Sequence, residues 1–411
     1  MNAQHTTDTA TDAIYDVVVI GGGPAGATAA DDLARAGKRV MLLDRAGRIK
    51  PCGGAIPPRL IKDFCIPDEL LVAQARAARM ISPKDVKVDM PIEGGFVGMV
   101  DREHFDEWLR QRAADGGAER RIGSFEKLTR DAHGATLVHF MAREKHNHGE
   151  GTPAVVRARA VIGADGARSS VALQAGLGDT EHVFAYHEIV RAPQTREAAN
   201  AADYDPSRCD VYYRGTLSPD FYGWVFPHGD TFSVGTGSAD KGFSLRSATG
   251  RLREAAGLTG CETLRREGAP IPMKPLKRWD DGQSVVLAGD AAGVVAPASG
   301  EGIYYAMAGG RMAGEAVLEF LKTGKPRALA GARKQFMKEH GTVFFVLGMM
   351  QRFWYSSDKR RERFVSICKD KDVQQMTFDS YMHKKLTRKK PMQQVRIFFK
   401  DMAHLLGLAR V

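Results

Sequence analysis

The chain has 411 residues, 43% hydrophobic and 26% charged, enough to bury a sizeable core divided between two or three structural units. Its opening, MNAQHTTDTATDA, lacks the basic start, apolar centre and cleavage site of an export signal; no apolar run approaches the ~18–20 residues that span a bilayer, and five scattered cysteines argue against a disulfide framework or zinc site. The net charge of +10 is lodged at one end: residues 352–411 carry fifteen Lys/Arg against six Asp/Glu, which suits either an anionic membrane surface or simply a solvated helical face, and no nucleic-acid motif accompanies them. These features lead us to expect a cytoplasmic protein with peripheral membrane contact through its basic C-terminal region.

Ile14 to Ile20 is a β-branched apolar run, followed by glycines, a helix-compatible stretch from Ala25 to Ala36, Gly37 as a stop and a second strand from Arg39 to Leu43. In this β–α–β unit Gly21-Gly22-Gly23-Pro24-Ala25-Gly26 contains G-x-G-x-x-G, whose small residues let a pyrophosphate approach the helix N-terminus. Asp44, eighteen residues after Gly26, is placed to accept hydrogen bonds from an adenosine ribose. Gly21, Gly23, Ala25, Gly26 and Asp44 are therefore candidate dinucleotide ligands; the plain alternative is a tight turn with a surface aspartate.

Asp101 can cap a helix with Phe105, Trp108, Leu109 and Arg112 near one face, ending at Asp115-Gly116-Gly117. His146-Asn147-His148-Gly149 reads as a surface loop, and without a third ligand no metal is expected there. From Cys209 to Gly237 three β-rich stretches, VYYR, FYGWVF and TFSVGTG, form an expected antiparallel meander. Tyr222, Trp224 and Phe226 alternate on one face of it, as either a slot for an apolar chain or a sheet core requires. The α/β style resumes with VVLAGD at 285–290 and a helix from about Gly300 to Leu321, stopped by Gly324. Near the end Val395, Phe398, Phe399, Met402, Leu405 and Leu406 make an apolar stripe, suited to an interfacial helix or to packing on the protein's own body.

The expected fold is α/β, α+β overall. A Rossmann-like cofactor domain (14–75, 98–175 and 270–324) is interrupted by an antiparallel-sheet substrate domain (76–97 and 176–269), with a disordered start (1–13) and a basic helical C-terminal region (325–411).

Two later segments separate FAD from NAD. Val161-Ile162-Gly163-Ala164-Asp165-Gly166 resembles the Asp-Gly motif of the FAD-dependent hydroxylase and reductase superfamily, and Leu287-Ala288-Gly289-Asp290 resembles its Gly-Asp motif. The resemblance implies that Asp290 binds the FAD ribityl chain and that Ser299 to Ile303, with Gly300, Gly302 and Ile303, lies against the flavin. It also implies that Arg102 contacts FAD and that Asp165 and Gly166 brace the cofactor region; the alternative for Arg102 is a first-turn salt bridge. Superfamily members often carry an arginine seven residues past the aspartate, where this chain has Ala172.

Pro51-Cys52-Gly53-Gly54 resembles the Cys-Gly-Gly motif of geranylgeranyl reductases, and Tyr222-Gly223-Trp224-Val225-Phe226-Pro227 with Gly235 is similar to their Y-x-W-x-F-P signature followed by glycine. The longer Lys50–Pro57 string looks like the chlorophyll and bacteriochlorophyll branch. The family implies Gly53 and Gly54 at the cofactor, Cys52 as a catalytic candidate near the flavin, and Tyr222, Trp224, Phe226, Pro227 and Gly235 at the substrate. The alternative for Cys52 is a small apolar residue lining a loop that needs the flexibility of Gly53 and Gly54. It further implies NADPH as electron donor and three successive alkene reductions on a prenylated tetrapyrrole or a prenyl diphosphate. An FAD monooxygenase or halogenase, or a non-catalytic prenyl-binding escort, would share the cofactor motifs.

Overall fold

A computed structural model of the chain describes residues 14–384, apart from 46–48, 145–150, 196 and 198–202. The disorder expected for 1–13, the loop expected at 146–149 and the apolar stripe expected at 395–406 all concern positions outside the described residues.

A strand covered on both faces must be apolar at every position, and β1 (Ile14–Ile20) is buried without a break from Val17 to Ile20. It turns into α1 (Pro24–Arg35) and returns parallel to itself as β2 (Val40–Asp44), each within one residue of the sequence expectation. β3 (Ala55–Ile56), α2 (Pro58–Asp63) and β4 (Leu71–Ala75) lead to the hairpin β5 (Ala77–Ile81) and β6 (Lys87–Pro91), and β7 (Val97–Val100) brings the chain back. Helix α3 (Arg102–Asp115) starts where Asp101 accepts a hydrogen bond from the Glu103 N–H at 2.8 Å.

β8 (Glu119–Arg130), β9 (Thr136–Ala142) and β10 (Thr152–Gly163) follow. The two long strands each serve twice. β8 begins parallel to β2 and then pairs antiparallel with β9, while β10 begins antiparallel to β9 and ends parallel to β1.

After α4 (Ser170–Gln174) come β11 (His182–Arg191), β12 (Arg208–Tyr212), β13 (Gly223–His228), β14 (Thr231–Ser238), α5 (Leu245–Ala255) and β15 (Thr263–Pro272). β16 (Val285–Leu287) returns parallel to β10, and α6 (Ile303–Thr323) packs on α1. Helices α7 (Gly331–Trp354), α8 (Asp358–Ile367) and α9 (Lys371–His383) complete the described chain.

β12, β13 and β14 form the expected meander inside a seven-stranded sheet ordered β15-β11-β14-β13-β12-β5-β6. That sheet is mixed: β12 runs parallel to β5, because the chain crosses the whole cofactor domain between them. One expected domain limit shifts with the register. β15 stays paired with β11 as far as Pro272, so the boundary falls after 272 and not between 269 and 270. β3 and β4 each pair with β7 in a three-stranded sheet separate from the cofactor sheet.

The C-terminal helices are not an appendage. Phe336 and Phe344 of α7 enter the cofactor-domain core, while Trp354, Val365 and Cys368 join Tyr213, Phe221, Tyr222 and Trp224 of the sheet domain. Among the described residues no helix is long and apolar enough to cross a membrane.

Candidate active site

The glycine-rich turn is built by contact as much as by conformation. A Cβ on Gly26 would overlap the Gly21 carbonyl, and one on Gly21, where φ is +105°, would strike the Ala164 carbonyl at the end of β10. At Gly23, the N-cap of α1, a Cβ would meet nothing within 4 Å, so the helix opens bare onto the cavity. Asp44 at the end of β2 accepts a hydrogen bond from the Gly22 N–H, and burial pushes its carboxyl above the usual range.

Arg102 and Asp290 face the same cavity from opposite elements. The Arg102 guanidinium is forked onto Asp106 at 2.8 and 2.7 Å, one turn along α3, which is the salt-bridge alternative realised on the cavity wall. Burial alone would lower the Arg102 pKa, but the Asp106 carboxylate overrides it and holds the value above the ordinary one. Cys52 lines the same cavity as Arg102, and its Sγ accepts a hydrogen bond from the Gly54 N–H at 3.4 Å. Asp290 is ion-paired with Lys50 from the loop after β2, a partner 240 residues away that no local pattern signals. Asp165 accepts bonds from the Ser169 hydroxyl and, at 3.1 Å, the Val171 N–H, so it organises the start of α4. Gly300, Gly302 and Ile303 line the cavity where α6 begins, and Gly166 lines it beside Asp165.

The two segments that looked most family-specific meet in space. A Cβ on Gly53 would lie 3.0 Å from the Phe226 ring, and one on Gly54, at φ +70°, would press on the Val100 carbonyl and sit 2.6 Å from His228 Nε2. The Cys52 loop therefore lies directly on β13. Trp224 and Phe226 of β13, with Tyr222 just before it, project into the cavity as a staggered aromatic series, with ring centroids 6.1 and 6.4 Å apart. Tyr222 donates its hydroxyl to the Ser299 carbonyl at 2.6 Å, which ties this wall to the start of α6.

Three expected ligands do not reach the cavity. Pro227 points to the other face of β13 by simple alternation. Gly235 lies behind Trp224, where a Cβ would be 2.5 Å from the indole Cζ2, and Gly26 is buried in its own turn.

The cavity measures about 1170 Å³ and runs from Asp44, past Cys52, to an apolar end closed by Leu347, Met350 and Trp354 of α7 and Phe378 of α9. Sequence reading assigned the last four no role, although the 347, 350, 354 spacing is a helical face. It also missed a buried relay behind Trp224. The indole N–H donates to Ser233 Oγ at 3.0 Å, Ser233 lies 2.7 Å from His187 Nδ1, and His187 Nε2 is 3.0 Å from Glu267. Because indole can only donate, these bonds are all satisfied when Ser233 gives its proton to Nδ1 and Nε2–H donates to Glu267.

A parallel-sheet dinucleotide fold whose cofactor cleft opens under an aromatic-walled second sheet is the architecture of a nucleotide-cofactor oxidoreductase. Residues 15–199 match the family described as pyridine nucleotide-disulphide oxidoreductase. The chain is 60% identical over 394 residues to the geranylgeranyl diphosphate reductase of Rhodobacter capsulatus, covering 96% of this chain and 98% of that one. It is 38% identical over 399 residues to the chloroplastic geranylgeranyl diphosphate reductase of Nicotiana tabacum, covering 93% and 83%. Among solved structures, a geranylgeranyl bacteriochlorophyll reductase-like protein from Thermoplasma acidophilum shares the fold, with TM-score 0.77 at 21% identity over 92% of this chain and 99% of that one. The chain belongs to the geranylgeranyl reductase family of flavin oxidoreductases. Its residues fit FAD: the bare N-terminus of α1 suits a pyrophosphate, Asp44 a ribose, and Asp290 with the α6 start the remainder of the cofactor.

Proposed function

We propose that this protein reduces the geranylgeranyl group to phytyl, by three successive alkene reductions, on a bacteriochlorophyll(ide) ester or on geranylgeranyl diphosphate, as a step of (bacterio)chlorophyll biosynthesis. NADPH is the electron source in this reading, and the protein works at the cytoplasmic face of a membrane. The observation that carries it is the single cavity of about 1170 Å³. Its volume exceeds the roughly 300–1,000 Å³ of pockets for one small ligand, and its two ends differ in chemistry: a dinucleotide cradle at one, and a long apolar tunnel at the other.

An isolated alkene has no neighbouring carbonyl to take up charge, so hydride and proton must arrive together on its two carbons as the π bond is lost. When bound, FAD supplies the hydride. The chain's own contribution is alignment and the exclusion of water. Tyr222, Trp224 and Phe226 hold the prenyl chain against β13, and the α7–α9 wall seals its far end. Cys52 lies where the cradle meets the tunnel and is the candidate proton carrier.

The test is an anaerobic reaction of purified protein with NADPH and either geranylgeranyl-bacteriochlorophyll or geranylgeranyl diphosphate, following flavin absorbance and product mass. Gain of one H₂ per alkene on one of the two acceptors is expected. Flavin reduction with no alkene loss, together with substrate-coupled oxygen consumption in air, would overturn the reading in favour of a monooxygenase. Trp224→Ala should lower prenyl turnover by at least about tenfold while the flavin-to-protein absorbance ratio stays near wild type.

A further inference from the structure

Helix α7 has two faces of opposite use. Leu347, Met350 and Trp354 line the apolar end of the cavity. On the far side Lys334, Lys338, Thr342, Phe345, Met349 and Arg352 are all exposed. At 3.6 residues per turn these six fall within about 80° of arc, directly opposite the cavity face. Phe345 is 66% exposed and Met349 52%, placing them among the few large apolar side chains left in solvent among the described residues, and they adjoin on this one stripe. Half-buried Phe353 extends the apolar strip toward the C-terminus, with the Arg360 guanidinium 4.3 Å from its ring centre. The stripe thus has an apolar middle with cations at both ends; the one exposed acid on this part of the helix, Glu339, lies to the side of it.

We propose that this face of α7 docks the protein on an anionic lipid bilayer, with Phe345 and Met349 entering the acyl boundary and Lys334, Lys338 and Arg352 meeting headgroup phosphates. An apolar strip bordered by cations is what an interfacial helix needs: apolar area for partition, positive charge for attraction to the surface. A second copy of the chain suits the stripe less well, because a two-fold contact would set its cations against their own copies. The assignment rests on the prenyl-substrate reading for its purpose, since a bilayer holds long prenyl chains and only the thickness of α7 separates its outer face from the tunnel. It does not rest on that reading for its test.

The experiment is flotation of the full chain, carrying its flavin, with vesicles of phosphatidylglycerol mixed into phosphatidylcholine, and with phosphatidylcholine alone. Wild type should float with the anionic vesicles and lose most binding on the neutral ones or at high salt. The Phe345→Ser/Met349→Ser double variant should lose at least about tenfold in bound fraction, Phe345→Trp should retain binding, and Lys334→Ser/Lys338→Ser should weaken binding several-fold. Turnover of soluble geranylgeranyl diphosphate should be unchanged in all of them. Undiminished flotation of the double serine variant would overturn the proposal. So would a dimer, seen by sedimentation, that the same variant converts to a monomer while neither protein floats. Absence of any prenyl turnover in wild type would count against the functional reading alone, because the flotation result is independent of it.

Discussion

His340 is 2% exposed and packed among the rings of Tyr304, Tyr305 and Phe336, and neither of its ring nitrogens makes a hydrogen bond among the described residues. Burial, helped by the charges of Arg59 and Lys384, lowers its pKa to about 4 from the usual 6.5. Between those values the unfolded chain binds a proton that the folded chain refuses. The contribution is therefore complete above pH 6.5 and is lost as pH falls toward 4, at up to about 1.4 kcal/mol per pH unit. Urea unfolding of wild type and His340→Leu at pH 7 and pH 5 should show the variant losing less stability on acidification. Equal losses would mean that His340 does not resist protonation.

At the scale of elements, β11, β13 and β14 come as close as they do because position 235 carries no side chain. A Cβ there would sit 2.5 Å from Trp224 Cζ2 and 2.7 Å from the Tyr186 carbonyl, and closer still to His187 Cβ. Gly235→Ala must push the indole or the neighbouring strand aside, at a cost of about 1–3 kcal/mol. The cofactor sheet is untouched by that shift. Folded variant should therefore keep its flavin while its melting temperature drops and its prenyl turnover falls, and wild-type turnover in a stable variant would show that Trp224 needs no such support. Ser233→Ala makes the milder version of the same test, since it adds no bulk and removes the acceptor of the indole N–H together with the hydroxyl bonded to His187 Nδ1.

At the scale of the molecule, the two ends of the cavity are joined by one buried ion pair. Lys384, just past α9 and at φ +53°, is paired with Glu301 beside the α6 start, and its ammonium lies 4.0 Å from the centre of the Tyr381 ring. Glu301 also accepts from the Tyr304 N–H at 3.2 Å, so the helix that closes the tunnel is tied to the loop that fits the cofactor. Lys384→Met would strand a buried carboxylate, which typically costs about 3–5 kcal/mol. Release of α9 relieves that cost most cheaply, so amide exchange across 371–384 should quicken and flavin should be held less tightly. Adding Glu301→Gln should restore much of both. Exchange as slow in Lys384→Met as in wild type would show that the pair is not the latch.

The chain by itself determined what short-range chemistry can specify. The glycine turn, Asp44 at the end of β2, the cap at Asp101, the β12–β14 meander and the stop at Gly324 each depend on a few adjacent residues. Family motifs brought Asp290, Cys52 and Trp224 into view for the same reason, since each is a contiguous string. Tertiary structure alone decided who meets whom: the Cys52 loop on Phe226, Lys50 on Asp290, His187 on Glu267, and α7 to α9 as the tunnel wall. It also decided against Pro227 and Gly235 as direct ligands and placed β12 parallel to β5. Periodicity announces that a face is buried; what it is buried against depends on the path of the chain between distant elements, and that path is set by packing the whole core at once.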